Sequence, residues 1–129
     1  MLHNPVVWFE IYVQDMPRAK AFYETVLGIE LHALEAPMPD LEMFAFPHQQ
    51  NLGGATGELV KMEGVLPGMG GTLIYFSCED CGVEAQLAAS NGGSIFRDKF
   101  SIGPYGHIAL VIDTEGNMIG LYTAPEGGC

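Results

Sequence analysis

Two carboxylates and an imidazole stand on apolar, strand-like runs of this chain. Glu10 lies within residues 6–13, a run of branched and aromatic residues that alternates as a half-buried strand does. Glu58 lies in Thr56–Met62, and His107 opens His107–Ile112. A carboxyl group among aromatics keeps its proton to higher pH and can then act as acid or base near neutrality. An imidazole beside it would complete a proton relay. Strand side chains alternate in direction, so Trp8, Glu10 and Tyr12 share one face while Val7, Phe9, Ile11 and Val13 share the other. By the same rule Leu73, Tyr75 and Ser77 share a face of residues 72–78. A cup lined by Trp8, Tyr12, Leu73 and Tyr75 would suit a flat or apolar ligand. In the His107 run, Ile108, Leu110 and Ile112 form the bulky face expected to be the core, leaving His107, Ala109 and Val111 toward the cup.

Other reactive residue types have less around them. Cys78-Glu79-Asp80-Cys81 has Cys-x-x-Cys spacing where a strand passes into a helix, a context in which such pairs can be redox active. The two acidic residues between the cysteines oppose a thiolate, and the strand pattern turns Cys78 inward. Arg97 could meet an anionic substrate, although a surface ion pair is the simpler expectation. His3, His48 and Cys129 lie at a chain end or past a strand end, with nothing to orient them. The clustered glycines, Gly53-Gly54 and those from Gly68 to Gly71, lack the lysine and helix of a phosphate loop, and no serine nucleophile elbow is present.

The elements that must position these groups come in a repeat with an offset of 65 positions: Ile11 matches Phe76, Phe22 matches Leu87, and Phe44 matches Ala109. Each copy reads as strand, helix, then three strands. Asp15 and Asp80 are helix caps, and Ala19, Phe22, Tyr23, Val26 and Leu27 make an apolar stripe that Gly28 ends. Further strands are expected at residues 29–34, 41–46 and 94–100 and at Met118–Thr123, with a turn from Asp113 to Asn117. The repeat divides one domain, 1–129, into a module 1–62, a linker 63–71 rich in glycine, and a module 72–129. Its length is too great for a solenoid unit and too small for an independent domain, so two modules sharing a cleft is the natural reading.

Composition sets the class of partner. With 129 residues, 48% of them hydrophobic and 16% charged, the chain is globular and can bury most of its surface. A net charge of -11 argues against nucleic acid and anionic membrane as partners, since phosphates would be repelled. No run is long and apolar enough to span a bilayer, the N-terminus has no secretory pattern, and three cysteines do not suggest a disulfide framework. A cytoplasmic setting is the expectation.

The order of elements, with Phe22-Tyr23-Glu24-Thr25-Val26-Leu27-Gly28 early and Asp113-Thr114-Glu115-Gly116-Asn117 late, resembles the vicinal oxygen chelate superfamily over nearly the whole chain. That group includes glyoxalase I, extradiol dioxygenases and bleomycin-resistance proteins. Gly116-Asn117-Met118-Ile119-Gly120-Leu121 is similar to the last strand of a branch described as predicted enzymes related to lactoylglutathione lyase. The resemblance implies an α+β fold in which two βαβββ modules form a U-shaped mixed sheet around a cup, with helices on the outer face, commonly in a homodimer. Metal-using members hold a divalent ion with four side chains, whose positions fall here on Trp8, Glu58, Leu73 and Gly120. One oxygen ligand is too few, so neither the family metal nor any other cofactor is expected.

Three functions stay open at this point. One is a metal-free small-molecule binder of the bleomycin-resistance kind. Another is a lyase, isomerase or oxygenase that uses Glu10, Glu58 and His107 for acid–base work or as a rearranged metal site. The last is a structural dimer with a vestigial cup.

Overall fold

Asp15 stops the first strand and starts the first helix, because its Oδ1 accepts the otherwise orphaned amide of Arg18 at 3.0 Å. Gly28 closes that helix at φ 65°, a conformation that costs glycine nothing. Asp80 opens the second helix in the same way, accepting from the Gly82 amide. The computed structural model describes residues 4–49 and 53–125, so His3 and Cys129 fall outside the described residues. The elements run β1 (Val6–Tyr12), α1 (Met16–Leu27), β2 (His32–Leu34), β3 (Leu41–Ala45), β4 (Thr56–Met62), β5 (Thr72–Ser77), α2 (Cys81–Ser90), β6 (Ser94–Ser101), β7 (His107–Ile112) and β8 (Met118–Thr123). A 3-10 turn, Gly103–Tyr105, precedes β7. The architecture is α+β, with strand–helix–three strands written twice. Among the described residues no helix is long and apolar enough to cross a membrane.

Trp8–Thr72 forms one compact unit, and the chain on either side of it forms another. The expected linker belongs to the first of these, since the Gly71 carbonyl accepts from the Tyr12 amide at 2.9 Å. In the first unit the strand order is β2-β3-β4-β1, with β1 parallel to β4 and the other pairs antiparallel. In the second it is β5-β8-β7-β6, with β5 parallel to β8. Each parallel pair joins the first and last strands of its module.

Each helix covers one face of its own strands. In the first unit Met16, Val13, Leu31 and Leu59 form the core, with Ile11, Ala19, Tyr23, Phe44 and Phe46 packed on it. In the second, Cys81, Ala85, Ala109, Val111 and Leu121 do so, joined by Phe76 and others. The pairs Ile11/Phe76 and Phe44/Ala109 therefore hold equivalent places. The pair Phe22/Leu87 is equivalent too, but on the outside: they are 58% and 54% exposed.

That result corrects the apolar stripe expected on α1. Ala19 and Tyr23 reach the core, while Phe22, Val26 and Leu27 stay more than half exposed. The contact line on the helix runs Met16, Ala19, Tyr23, spaced i, i+3, i+7. Phe22 stands about 100° around the helix from Tyr23, and the other two lie on its last turn.

Candidate functional site

Strand register brings the two carboxylates together. β1 and β4 run parallel with Glu10 directly opposite Glu58, so both side chains leave the sheet on the face away from α1. Trp8 and Tyr12 flank Glu10 on that face. The Tyr12 hydroxyl donates to Glu10 Oε1 at 2.6 Å. Glu58 is 4% exposed, and its Oε1 is buried with no hydrogen-bond partner among the described residues.

Two carboxylates in contact cannot hydrogen-bond unless one keeps a proton. Burial decides which. It pushes Glu58 up to about 8, with the charge on Glu10 and the hydrogen bond between the two carboxyls adding to the effect, and a hydrogen bond with Trp8 opposing it. The Tyr12 phenol is pushed far above its ordinary range, first by burial and then by Glu10. Burial thus favours the protonated form of Glu58, beside Glu10 and the phenol that donates to it. The pairing of a neutral carboxylic acid with an ionised neighbour is what acid–base chemistry needs.

The equivalent pair in the second unit is Tyr75 opposite Gly120, again on the face away from the helix. A Cβ on Gly120 would overlap the Tyr75 ring, so the ring occupies the space above the glycine. Tyr75 and Leu73 are buried, at 5% and 7% exposure. One unit thus keeps two carboxyls where the other keeps a ring over bare backbone.

β7 faces the opposite way from the sequence expectation. Ala109 and Val111 pack in the core against Cys81 and Ala85 of α2, so the face shared by His107, Ala109 and Val111 is the helix-facing one. The charge on His107 helps to hold the Asp80 carboxyl low, after Lys99 and the Gly82 amide. Its cross-strand neighbour Thr123 accepts from the Cys81 amide at 2.7 Å. His107 therefore belongs to the start of α2. The reason is steric: a helix that presents Cys81 and Ala85 approaches closely, and small Ala109 fits beneath it. The repeat carried that signal, because Ala109 matches Phe44, which packs under α1.

Known proteins were compared with the chain. A family profile described as Bleomycin resistance protein-like N-terminal matches residues 6–46. The protein named "Putative glyoxylase CFP32", from Mycobacterium bovis and Mycobacterium tuberculosis, is 26% identical over 123 residues. That match takes in 94% of this chain but only 45% of the relative, so the chain spans less than half the length of the curated proteins it matches. Among solved structures, methylmalonyl-CoA epimerase from Mycobacterium tuberculosis superposes with a TM-score of 0.68 at 16% identity, covering 98% of this chain and 95% of that one. The Streptomyces coelicolor methylmalonyl-CoA epimerase in complex with 2-nitronate-propionyl-CoA gives 0.66 at 18%, covering 94% of each. The chain has the vicinal oxygen chelate fold.

The metal positions of that superfamily can now be tested on this chain. Trp8 and Leu73 carry no ligating atom. Gly120 has no side chain and no room for one beneath Tyr75. Glu58 alone has the right chemistry, and its carboxyl is the buried, proton-holding member of a pair. The residues at these positions do not fit the superfamily's divalent ion. Among the described residues no three His, Cys, Asp or Glu side chains gather as a metal site.

The remaining candidates have structural partners. Cys81 is fully buried, and Cys78 is a half-buried thiol pushed up to about 11, first by burial and then by Glu84. The Arg97 guanidinium stacks on Phe100, 3.6 Å from the ring centre, and forms no ion pair among the described residues. Arg18 was missed in the sequence. It lines a cleft of about 370 Å³ at the end of β1, with Asp15, Tyr23 and Pro67. Its place on the first turn of α1, just past a cap, was the only local hint.

Proposed function

We propose that this protein binds a small carbonyl-bearing molecule and moves a proton on it without a metal, through the carboxyl pair of Glu10 and Glu58. The observation that carries this reading is the pair itself: opposite one another on parallel strands, with Glu58 buried and an oxygen unpartnered. A simple binder of apolar ligands gains nothing from a buried acid, which is costly to desolvate. Sites that do proton chemistry near neutral pH are where such pairs are found.

Glu10, half-buried where Glu58 is buried, is the group able to reach a ligand and take a proton from carbon. Glu58 behind it holds the proton that returns. Tyr12 fixes the Glu10 carboxylate, so the base starts oriented. Trp8 supplies a flat wall. His107 takes no part, because its face packs toward α2. Structural neighbours named as epimerases are consistent with such chemistry, although at 16–18% identity they speak for the fold alone.

The test is proton exchange. Branched acyl thioesters and 2-hydroxy ketones are incubated with the protein in deuterium oxide, and loss of the proton next to the carbonyl is followed by NMR. Exchange that disappears in both Glu10→Gln and Glu58→Gln supports the reading. Saturable binding without exchange would return it to a carrier of the bleomycin-resistance kind, which the profile match over residues 6–46 favours. The homodimer and the cytoplasmic setting belong to this proposal; light scattering of the purified protein tests the first.

A further inference from the structure

We propose that the cleft at the end of β1, which shares Tyr12 with the carboxyl cluster but neither of its carboxyls, is a second binding site, for small organic anions, held by Arg18. All of its lining comes from the unit Trp8–Thr72. At about 370 Å³ it falls within the range of small-molecule sites. Tyr23, Ala19 and Pro67 provide apolar wall, and the turn from Gly68 to Gly71, closed by the Gly71 amide donating to the Gly68 carbonyl at 2.8 Å, forms the rim.

The charge pattern singles out Arg18. The chain has five lysines and arginines against sixteen acids. Lys20 is paired with Glu24 at 2.9 Å, and Lys99 with Asp80 at 2.9 Å. Arg97 lies over the Phe100 ring. Lys61 faces Glu42 across the β3–β4 register. Among the described residues Arg18 and Lys61 form no ion pair and lie over no ring, and of the two it is Arg18 that lines this cleft. In a chain this acidic, an uncommitted guanidinium has many carboxylates to choose from, so its freedom inside a concavity is informative.

One carboxylate shares the lining. Asp15 is turned to the helix end, where its Oδ1 accepts the Arg18 amide at 3.0 Å. It weakens the field of Arg18 without neutralising it, so modest affinity is expected. The planar guanidinium fork favours a planar anion, a carboxylate above all, and the Tyr23 wall favours a flat body attached to it.

Benzoate is the probe, and benzamide is its neutral isostere. Binding is followed by 15N-edited NMR at the Arg18 Nε and at the Gly68 and Gly71 amides. Benzoate should give saturable shifts at these groups, and benzamide should not. Arg18→Gln should weaken benzoate about tenfold or more, with Arg18→Lys between, since lysine keeps the charge and loses the fork. Glu58→Gln should leave the affinity unchanged, which separates this site from the carboxyl pair. Equal affinity for benzoate in wild type and Arg18→Gln, or equal binding of benzamide, would overturn the proposal.

Discussion

Tyr75 and Gly120 are locked together: the ring lies where any side chain on the glycine would have to stand, because the two are paired between the parallel strands β5 and β8. This contact explains why the last-strand position can hold no ligand. Gly120→Ala should destabilise the protein by about 1–3 kcal/mol through overpacking. Combining it with Tyr75→Ala should cost less than the sum of the single changes, in a double-mutant cycle read by urea unfolding. Additive effects would show that the ring and the glycine are independent.

Glu58 makes stability depend on pH in a stated direction. Its folded pKa, about 8, lies above its ordinary 4.5, so the folded protein binds the extra proton. The stabilisation is fully present below about 4.5 and is lost as pH rises through 8, with a slope of at most about 1.4 kcal/mol per pH unit. Glu58→Gln should flatten that decline and leave the variant more stable than wild type at pH 9. Urea unfolding between pH 5 and 9 measures it; an unchanged slope would mean that Glu58 is ionised when folded.

Tyr12→Phe removes the phenol that donates to Glu10 at 2.6 Å. The lost bond to a carboxylate should cost about 1.5–3 kcal/mol of stability. Once a substrate is found by proton exchange, this variant should lower the exchange rate more than the affinity, because the phenol orients the base rather than the ligand. A change in affinity alone would place Tyr12 in ligand binding instead.

Cysteine labelling tests the redox reading of Cys78 and Cys81. A thiol held near 11 is less than about 1% thiolate at pH 8, and a fully buried one is out of reach. Native protein treated with iodoacetamide at pH 8 should show neither residue labelled quickly by peptide mapping. Labelling of Cys78 as fast as a free thiol would reopen it.

Much of the fold was legible because the signals are local. The caps Asp15 and Asp80, the positive-φ Gly28 and the period-two run of β1 depend on neighbours within a few residues. Strand ends were overestimated where pairing stops: Val13 and Cys78 continue the extended chain but fall outside β1 and β5. The faces of β1 were readable because one is mixed polar and the other apolar. Those of β7 were not, since Ile108 to Ile112 is apolar on both sides and alternation then carries no direction.

By itself the sequence determined the two βαβββ copies, the punctuation between their elements, and the absence of ligating chemistry at Trp8, Leu73 and Gly120. These follow from side-chain identity and short-range backbone preference. Only the tertiary structure decided that Glu10 stands opposite Glu58, that Tyr75 covers Gly120, and that His107 turns toward α2. Each of these depends on the register between strands far apart in the chain, or on which helix packs closest. Such pairings are chosen by packing the whole unit, so no short window of sequence contains them.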